Sequence, residues 1–501
     1  MRTVGSEQPA EQDLFSDYVG VSGLPVTARH AVNEAMIAHW CDAMGDGNPS
    51  YTNEEFALSS LHGGIVAPPA MLDVWDRGGL VFPRHSASPR TKVMERLFAD
   101  GFDSIVAVNA ELEFSRYLRR GELVSNVEVL DDVSSLKRTA RGPGYFVTTR
   151  HRYTNQLGEH VGDLMFRMLI FRPEAREEPE PAEAEGVPDP DPSLRPLPAI
   201  NDDNRFFWEG AERRELRVQR CGRCSRLLTP PGPRCPACGS FEMSWTVASG
   251  RGRLYSFAVP EHPKVAGFSY PLTVGLVELE EGSRIVADLV GLDPHDDVHI
   301  GMPLELCWLE GAPLPLPQFR APAPVRAAET VRLDDLSAGD ALPLCSLPIT
   351  TTLVVAGAIA TRDYTPVHHD RAVAEREGSK DVFLNINTSV GLVERVVSDW
   401  AGPEAVFRSI RLRLGAPGYP GDLLTFSGRV AALDSETGTA TISLTAKDSL
   451  GDHAVATVEL LLPRAPGAPT RPRAPGAPKA PTAPTAPTVP GGPGSPGGRR
   501  S

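Results

Sequence analysis

Basic residues are scarce in this chain compared with acidic ones. Its 501 residues include 50 lysines and arginines against 64 aspartates and glutamates. Residues 464–501 hold six of the basic residues and no acidic one, so residues 1–463 carry 44 basic and 64 acidic side chains, a net charge of −20. A surface that acidic repels phosphate groups. The composition therefore argues against nucleic acid as a partner.

Long apolar segments are also missing. The most apolar run, residues 353–360, is far shorter than the about 20 residues that a membrane-spanning helix requires. Residues 1–15 are polar and lack the apolar core of a secretory signal. We therefore expect a cytoplasmic protein that does not enter a membrane.

Cysteine is rare, but its spacing is informative. Of the seven cysteines, four form two close pairs, because Cys221 and Cys224 are followed after ten residues by Cys235 and Cys238. In a short loop-rich segment this spacing is typical of a zinc ribbon rather than of a disulfide framework. Four thiolates complete the tetrahedral coordination of Zn²⁺ and leave no open position, so the predicted metal is structural.

Two proline-rich segments divide the chain. Residues 173–192 contain six prolines and eight acidic residues, and residues 464–501 consist mainly of proline, alanine, glycine and threonine. Neither segment can bury enough apolar surface to offset its ordering entropy. We expect an acidic linker over 173–200 and a disordered tail over 464–501.

The two blocks outside these segments share one order of elements, in which helices precede an antiparallel meander. This order predicts an α+β class for both. In the first block, helices are predicted over 32–44 and from Pro69, and strands over 106–114, 123–130, 145–153 and 164–171. In the second block, helices are predicted over 353–360 and 391–400, and strands over 410–414, 423–433, 439–446 and 454–462.

The two blocks also align at the residue level. Asp46-Gly-Asn-Pro-Ser-Tyr51 aligns with Asp363-Tyr-Thr-Pro-Val-His368, and a Gly-Glu-Leu turn at 121–123 aligns with Gly-Asp-Leu at 421–423. We interpret this as an internal duplication. The second copy, with Asp-x4-His, an Asp-x-Ala that follows and the later Gly-Asp-Leu turn, resembles the MaoC-like hydratases. These are hot-dog-fold enzymes that act on enoyl-CoA thioesters, so the resemblance implies a CoA thioester as the substrate.

The resemblance implies roles for particular residues of the second copy. Asp363 and His368 would form the catalytic dyad, and the backbone N–H of Ile386 would hold the thioester oxygen. Asn385, Asn387 and Gly391 would contact the substrate or its CoA. A carboxylate and an imidazole that share one water can make both proton transfers of a hydration, each worth roughly 10²–10⁴-fold in rate. The alternative is an exposed loop in which the aspartate caps a helix.

The first copy lacks this pair, because Tyr51 stands where the second copy has His368. A tyrosine titrates near pH 10 in water and is not a ready base at pH 7. We therefore expect a catalytically inactive copy. It either helps to shape a tunnel for CoA or the acyl group, together with residues 67–71, or serves as a structural partner only.

The region after the cysteines predicts a small β-barrel. Strand-like runs begin at 250 and continue over 272–279, 283–290 and 304–309, before a proline-rich connection over 313–324. A ribbon followed by such a barrel resembles the DUF35-type OB-fold family. Several acidic residues lie on these strands, which disfavours binding of single-stranded nucleic acid.

The complete order resembles a single-chain fusion of the two subunits of the actinobacterial enoyl-CoA hydratases of steroid side-chain degradation. Two hot-dog domains (1–172 and 331–463) would flank a rubredoxin-like zinc ribbon (201–245) and an OB-fold barrel (246–320). The resemblance implies a thiolase-superfamily aldolase as a partner, and we expect a homodimer. Two alternatives stay open: a non-catalytic acyl-CoA-binding scaffold, and a hydratase for fatty or polyketide chains.

Overall fold

A computed structural model describes residues 14–80, 88–173 and 191–464 of the chain. Most of the predicted linker and nearly all of the predicted tail lie outside these residues. Eight α-helices are described, and in seven of them the side chain of a polar N-cap, such as Asn33 or Thr350, accepts a hydrogen bond from a first-turn amide. The helices are α1 (Glu34–Met44), α2 (Pro49–Thr52), α3 (Glu54–Ser59), α4 (Pro89–Ala99), α5 (Arg205–Glu212), α6 (Thr351–Ala360), α7 (Arg371–Arg376) and α8 (Ile386–Ala401).

The described strands number 19, and alternating burial is clearest in long strands such as β18 and β19. Those of the first copy are β1 (Val26–Thr27), β2 (Ser104–Phe114), β3 (Ser125–Val133), β4 (Lys137–Thr139), β5 (Gly142–Thr154) and β6 (His160–Phe171). Those of the middle region are β7 (Arg217–Cys221), β8 (Leu227–Leu228), β9 (Met243–Val247), β10 (Arg251–Ala258), β11 (Thr273–Leu279), β12 (Arg284–Leu289), β13 (Pro303–Leu309) and β14 (Leu316–Arg320). Those of the second copy are β15 (Cys345–Pro348), β16 (Val406–Leu414), β17 (Leu423–Asp434), β18 (Thr439–Asp448) and β19 (Gly451–Leu461).

The two copies form one antiparallel sheet of 11 strands. Its order is β1-β3-β5-β6-β2-β16-β19-β18-β17-β15, and β4 pairs with β5. The seam lies between β2 and β16, where Leu112 is opposite Ile410. Both side chains are buried in the core that the copies share. The copies therefore pair within the chain, a question that the sequence left open.

Helix α8 lies at the centre of this arrangement. Fourteen of its 16 residues are buried, and it contacts α1, β2 and β16. Its buried residues include polar ones such as Asn387, Ser389 and Glu394, each of which has a hydrogen-bond partner in the structure. Among the residues described in the first copy, no helix has this length, because the helix predicted from Pro69 is a single 3-10 turn, Pro69–Met71. Helix α4 was not predicted from the sequence.

The middle region consists of two small units. Strands β8-β7-β9 form a three-stranded sheet, and β10-β11-β12-β14-β13 form a closed barrel. The predicted connection over 313–324 is wrong in part, because β14 lies within it. This strand pairs with both β12 and β13 and buries Phe319 completely. Because β14 closes the barrel, it pairs with backbone N–H and C=O groups that an open four-stranded sheet would leave unpaired at its edges.

The barrel contacts the second copy directly. The hydroxyl of Thr425 donates to the carbonyl of Gly291 at 2.5 Å, and the ammonium of Lys447 lies 3.1 Å from the carboxylate of Asp296. Among the described residues, the helices are all too short or too polar to cross a membrane.

Candidate functional site

Asp363 and His368 meet in a short loop between α6 and α7. Arg362 adopts a left-handed conformation with φ of 55°, which turns the chain after α6, and the loop then forms the 3-10 turn Pro366–His368. The Nδ1 atom of His368 lies 2.8 Å from the carbonyl oxygen of Phe383, so Nδ1–H donates there. The other ring nitrogen, Nε2, faces Oδ2 of Asp363 at 3.6 Å. That separation leaves both groups able to bind one water.

The surroundings of Asp363 favour its ionised form. Burial by itself raises the pKa of this carboxyl, but the nearby guanidinium of Arg77, the ring of His368 and hydrogen bonds from Thr365 outweigh that effect and lower the pKa overall. The hydroxyl of Thr365 donates to Oδ1 at 2.7 Å. The loop therefore presents a carboxylate and an imidazole side by side.

The N-terminus of α8 lies at the same place. Asn385 is the N-cap, and its side chain accepts from the N–H of Thr388 at 2.7 Å. The amides of Ile386 and Asn387 belong to the first turn, where a helix has no internal acceptor for them and where its dipole favours negative charge. Ile386 is a buried residue and lies at the wall of a cavity.

The other two predicted contacts have different roles. The side chain of Asn387 binds the first copy, because its Nδ2 donates to both oxygens of Asp73 at 2.8 Å. Gly391 faces α1, where an added Cβ would approach Trp40 to 2.8 Å. The structure therefore explains this glycine by close helix packing, and its contact with substrate stays a prediction.

A cavity of about 500 Å³ lies in front of the dyad. Both copies line it: the second with the dyad and the first residues of α8, the first with residues 105–108 of β2 and 139–141 of the β4–β5 turn. Its remaining wall is mainly apolar, with Phe146, Met168 and Phe383 among its residues. Such a lining suits an apolar acyl group.

Two polar residues of this cavity were not predicted from the sequence. Arg77 comes from the first copy and reaches the start of α8. His453 of β19 is fully buried, with Nε2 at 2.9 Å from the hydroxyl of Ser389 and Nδ1 at 2.8 Å from the carbonyl of Ala416. Neither residue lies in a motif, because each is brought to the cavity only by the pairing of strands and copies.

The corresponding place in the first copy is filled by buried contacts. The hydroxyl of Tyr51 donates to Oε1 of Glu394 at 3.1 Å, and the other oxygen of Glu394 accepts from the N–H of Ala70 at 2.7 Å. Asp46 is paired with Arg326 at 2.6 Å. Burial raises the pKa of Tyr51 well above its usual range. This copy therefore lacks a pair that could share a water.

Glu394 allows a test of this buried arrangement. Burial and the nearby Asp46 raise its pKa well above the ordinary value, which favours the neutral acid in the folded chain. The unfolded chain ionises near pH 4.3, so the stability that Glu394 contributes is complete below that pH and is lost as pH rises toward the folded pKa. We expect Glu394→Gln to raise the melting temperature by a few degrees at pH 8. At pH 4 the variant should gain nothing.

The matched control for this experiment is Tyr51→Phe. It removes the hydrogen bond to Glu394 but leaves the acid in place, so it should lower the melting temperature at pH 8 instead of raising it. If the melting temperatures of wild type and Glu394→Gln differ by the same amount at pH 4 and at pH 8, the assignment of a neutral acid is wrong.

The four paired cysteines meet at one point. Their Sγ atoms lie within 4.8 Å of one another, with Cys221 and Cys238 at 3.6 Å and Cys224 and Cys235 at 3.6 Å. Backbone amides donate to the sulfurs, and they lower the pKa of Cys221 and bring that of Cys235 to about 6, which favours the thiolate, whereas contact with the neighbouring thiols raises the pKa of Cys224 to about 11. Tetrahedral zinc with bonds of about 2.3 Å requires sulfurs about 3.8 Å apart. The cluster fits such an ion.

Three family models match the chain. The dehydratase domain region of the FAS1-like family matches residues 19–164, the rubredoxin-like zinc ribbon domain of ChsH2 matches 208–244, and the C-terminal OB-fold domain of ChsH2 matches 245–309. The predictions of a MaoC-like hot-dog fold, a zinc ribbon and an OB-fold are confirmed.

The chain is also similar to individual proteins. It is 42% identical over 306 residues to the probable enoyl-CoA hydratase alpha subunit of Thermomonospora curvata, a match that covers 60% of this chain and 93% of the relative. It is 51% identical over 122 residues to the 3-oxo-4,17-pregnadiene-20-carboxyl-CoA hydratase beta subunit of Mycobacterium tuberculosis, covering 24% of this chain and 93% of that subunit.

A solved structure, the Ltp2-ChsH2(DUF35) aldolase, shares 51% identity, covers 25% of this chain and 98% of its own, and has a TM-score of 0.24. The chain is also 39% identical over 287 residues to the alpha subunit of the same Mycobacterium tuberculosis hydratase, a match that covers 57% of this chain and 89% of that subunit, so one polypeptide is similar to both subunits of a two-subunit enzyme. With 42% identity over nearly the whole alpha subunit and matching ribbon and barrel domains, the chain belongs to the enoyl-CoA hydratase family in which a MaoC-like domain is joined to a zinc ribbon and an OB-fold.

Proposed function

We propose that this chain hydrates a 2-enoyl-CoA thioester at Asp363 and His368. The observation that carries the proposal is the geometry of this pair, whose facing atoms are 3.6 Å apart beside an apolar cavity and the N-terminus of a buried helix. A surface loop with a capping aspartate would have no need of the cavity. A scaffold that only binds acyl-CoA would have no need of both groups.

The proposed reaction begins with one water held between the two side chains. Because Nδ1–H of His368 donates to Phe383, Nε2 is the nitrogen that accepts a proton from the water as its oxygen attacks the β-carbon of the thioester. Asp363 accepts a hydrogen bond from the second O–H of the water, whose proton stays on the oxygen and becomes the hydroxyl of the product, and the carboxylate stabilises the imidazolium that forms. The imidazolium then protonates the α-carbon, so the elements of water are added in full.

Negative charge develops on the thioester oxygen during this attack. We place that oxygen at the backbone N–H of Ile386, where an unused first-turn amide and the dipole of the 16-residue helix α8 both favour an anion. Loss of one such donor typically costs about 10²–10³ in kcat. The backbone N–H can donate this hydrogen bond whatever side chain the residue carries, so isoleucine is acceptable at this position.

We propose a steroid side-chain intermediate as the acyl group. The similarity to a subunit that acts on 3-oxo-4,17-pregnadiene-20-carboxyl-CoA supports this choice, as does the apolar cavity to which both copies contribute. A panel of steroid and linear enoyl-CoAs, followed by loss of the absorbance of the conjugated thioester, tests the choice. We expect the steroid thioesters to have the highest kcat/KM, and faster hydration of linear chains would contradict the assignment.

The zinc ribbon and barrel have a different proposed task. Four cysteines would close the coordination of a zinc ion, whose only contribution would be to hold the ribbon folded.

Hydration of a branched enoyl thioester gives a tertiary β-alcohol, which cannot be oxidised to a ketone but can undergo retro-aldol cleavage. We therefore propose that this module binds a thiolase-superfamily aldolase. Phe241 is 73% exposed and Val247 is 48% exposed on the ribbon, and such apolar side chains suit a protein interface.

The aldolase interface can be tested without deleting the module, whose barrel contacts the catalytic copy through Thr425. The double variant Phe241→Asp/Val247→Asp should lose co-purification with the aldolase while its hydration rate stays that of wild type. The matched control is Leu450→Asp, which changes an equally exposed apolar residue on the second copy. Undiminished aldolase binding by the double variant would refute the interface.

The proposed location is the cytoplasm. The paired cysteines must be thiols to bind zinc, and a reducing compartment maintains them in that form.

A further inference from the structure

Arg77 connects the two copies at the reaction centre. It belongs to the first copy, six residues after the 3-10 turn Pro69–Met71. Its Nη2 atom donates to Oδ2 of Asp73 at 2.5 Å and to Oδ1 of Asn387 at 3.1 Å. Because Asn387 in turn donates to Asp73, the three side chains form a closed set of hydrogen bonds across the interface between the copies.

The position of this set matters for the chemistry. Asn387 is the second residue of α8, next to the amide of Ile386. Arg77 lines the same cavity as Asp363 and His368, and its side chain is only 24% exposed. A cation in such a place is weakly screened by water, so its field acts on the neighbouring carboxylate.

We propose that Arg77 is a positioning residue for hydration: it fixes the first turn of α8 through Asn387 and keeps a positive charge beside the carboxylate of Asp363. The inference rests on the function proposed above for that carboxylate. The first copy has lost its own acid–base pair, yet through Arg77 it completes the site of the second copy. Arg77 acts through Asp363 and Asn387, and no contact with substrate is required of it.

A second arginine shows what a purely structural bridge looks like. Arg326 also connects buried groups of both copies, with Asp46 at 2.6 Å and Asp399 at 2.5 Å, and its side chain is 20% exposed. It is absent from the wall of the cavity in front of the dyad. Its loss should therefore reduce stability without changing the protonation of Asp363.

The test compares pH profiles of kcat for wild type, Arg77→Met, Arg77→Lys and Arg326→Met. Hydration requires ionised Asp363, and removal of the adjacent cation raises the pKa of that carboxyl, because the cation lowers it in wild type. The acid limb of R77M should therefore move to higher pH by about one unit or more. R77K should retain most of the wild-type limb.

The R326M control should lower the melting temperature and leave the acid limb unmoved. If R77M does not fold, R77Q provides the same comparison, because it removes the charge but can still donate to Asp73. If wild type is an active hydratase and the acid limb of R77M or R77Q coincides with that of wild type, the inference about Arg77 is wrong and the proposed function stands. Wild type without hydratase activity would overturn the proposed function.

Discussion

Replacement of His368 by alanine is expected to lower kcat for hydration by at least about 10²–10⁴-fold, the usual worth of a general acid–base group. Asp363→Asn should have a similar effect, because an amide cannot hold the water as a base or stabilise the imidazolium. Both positions lie on a loop, so the fold should survive: the melting temperature should change little. Steady-state rates measured with the preferred enoyl-CoA, together with melting curves, check both expectations.

The control for the dyad lies in the first copy. Tyr51 occupies the aligned position, but its side chain is buried and its hydroxyl donates to Glu394. Tyr51→Phe should therefore keep most of the activity while it lowers stability. If Tyr51→Phe reduced kcat as much as His368→Ala, the assignment of an inactive first copy would be wrong.

Loss of the metal is expected to have the second large effect, on folding and not on chemistry. Apparent binding energies of about 10–16 kcal/mol for zinc in finger peptides show that such ions hold their domains folded. Elemental analysis should find about one zinc per chain. Cys224→Ser should remove most of that zinc and expose residues 208–244 to proteolysis, whereas hydration by Asp363 and His368 should continue.

Cys307→Ser serves as the matched control for the metal. This cysteine lies in barrel strand β13, outside the sulfur cluster, and burial raises the pKa of its thiol to about 11. The variant should keep its zinc and its resistance to proteolysis. A protein that is free of zinc but resists proteolysis in the ribbon would contradict the structural role of the metal.

The sequence predicted those features that depend on local pattern. Alternation of apolar residues placed strands β16 to β19, and the spacing of Cys221 to Cys238 predicted the ribbon that the family model confirms. The aligned Asp-x4-His and Asp-x4-Tyr segments indicated a duplication in which one copy kept the acid–base pair. The catalytic role of that pair stays a prediction.

The features that the sequence did not predict depend on contacts between distant segments. The pairing of β2 with β16 joins residues about 300 positions apart and is set by the shared core around Leu112 and Ile410. Arg77 becomes part of the site only through that pairing. The close packing of Gly391 against Trp40 of α1 also joins distant segments, and no local pattern indicates it. Strand β14 was not predicted, because prolines at 313, 315 and 317 indicate a connection and not a strand.

The measurement that tests the central claim most directly is hydration by the purified chain alone. Because both copies pair within one polypeptide and both line the cavity, we expect the chain to convert a steroid 2-enoyl-CoA to a 3-hydroxyacyl-CoA with no added subunit. The specific activity should also be independent of protein concentration. A chain that hydrates no enoyl-CoA until a separate MaoC-like subunit is supplied would contradict the account.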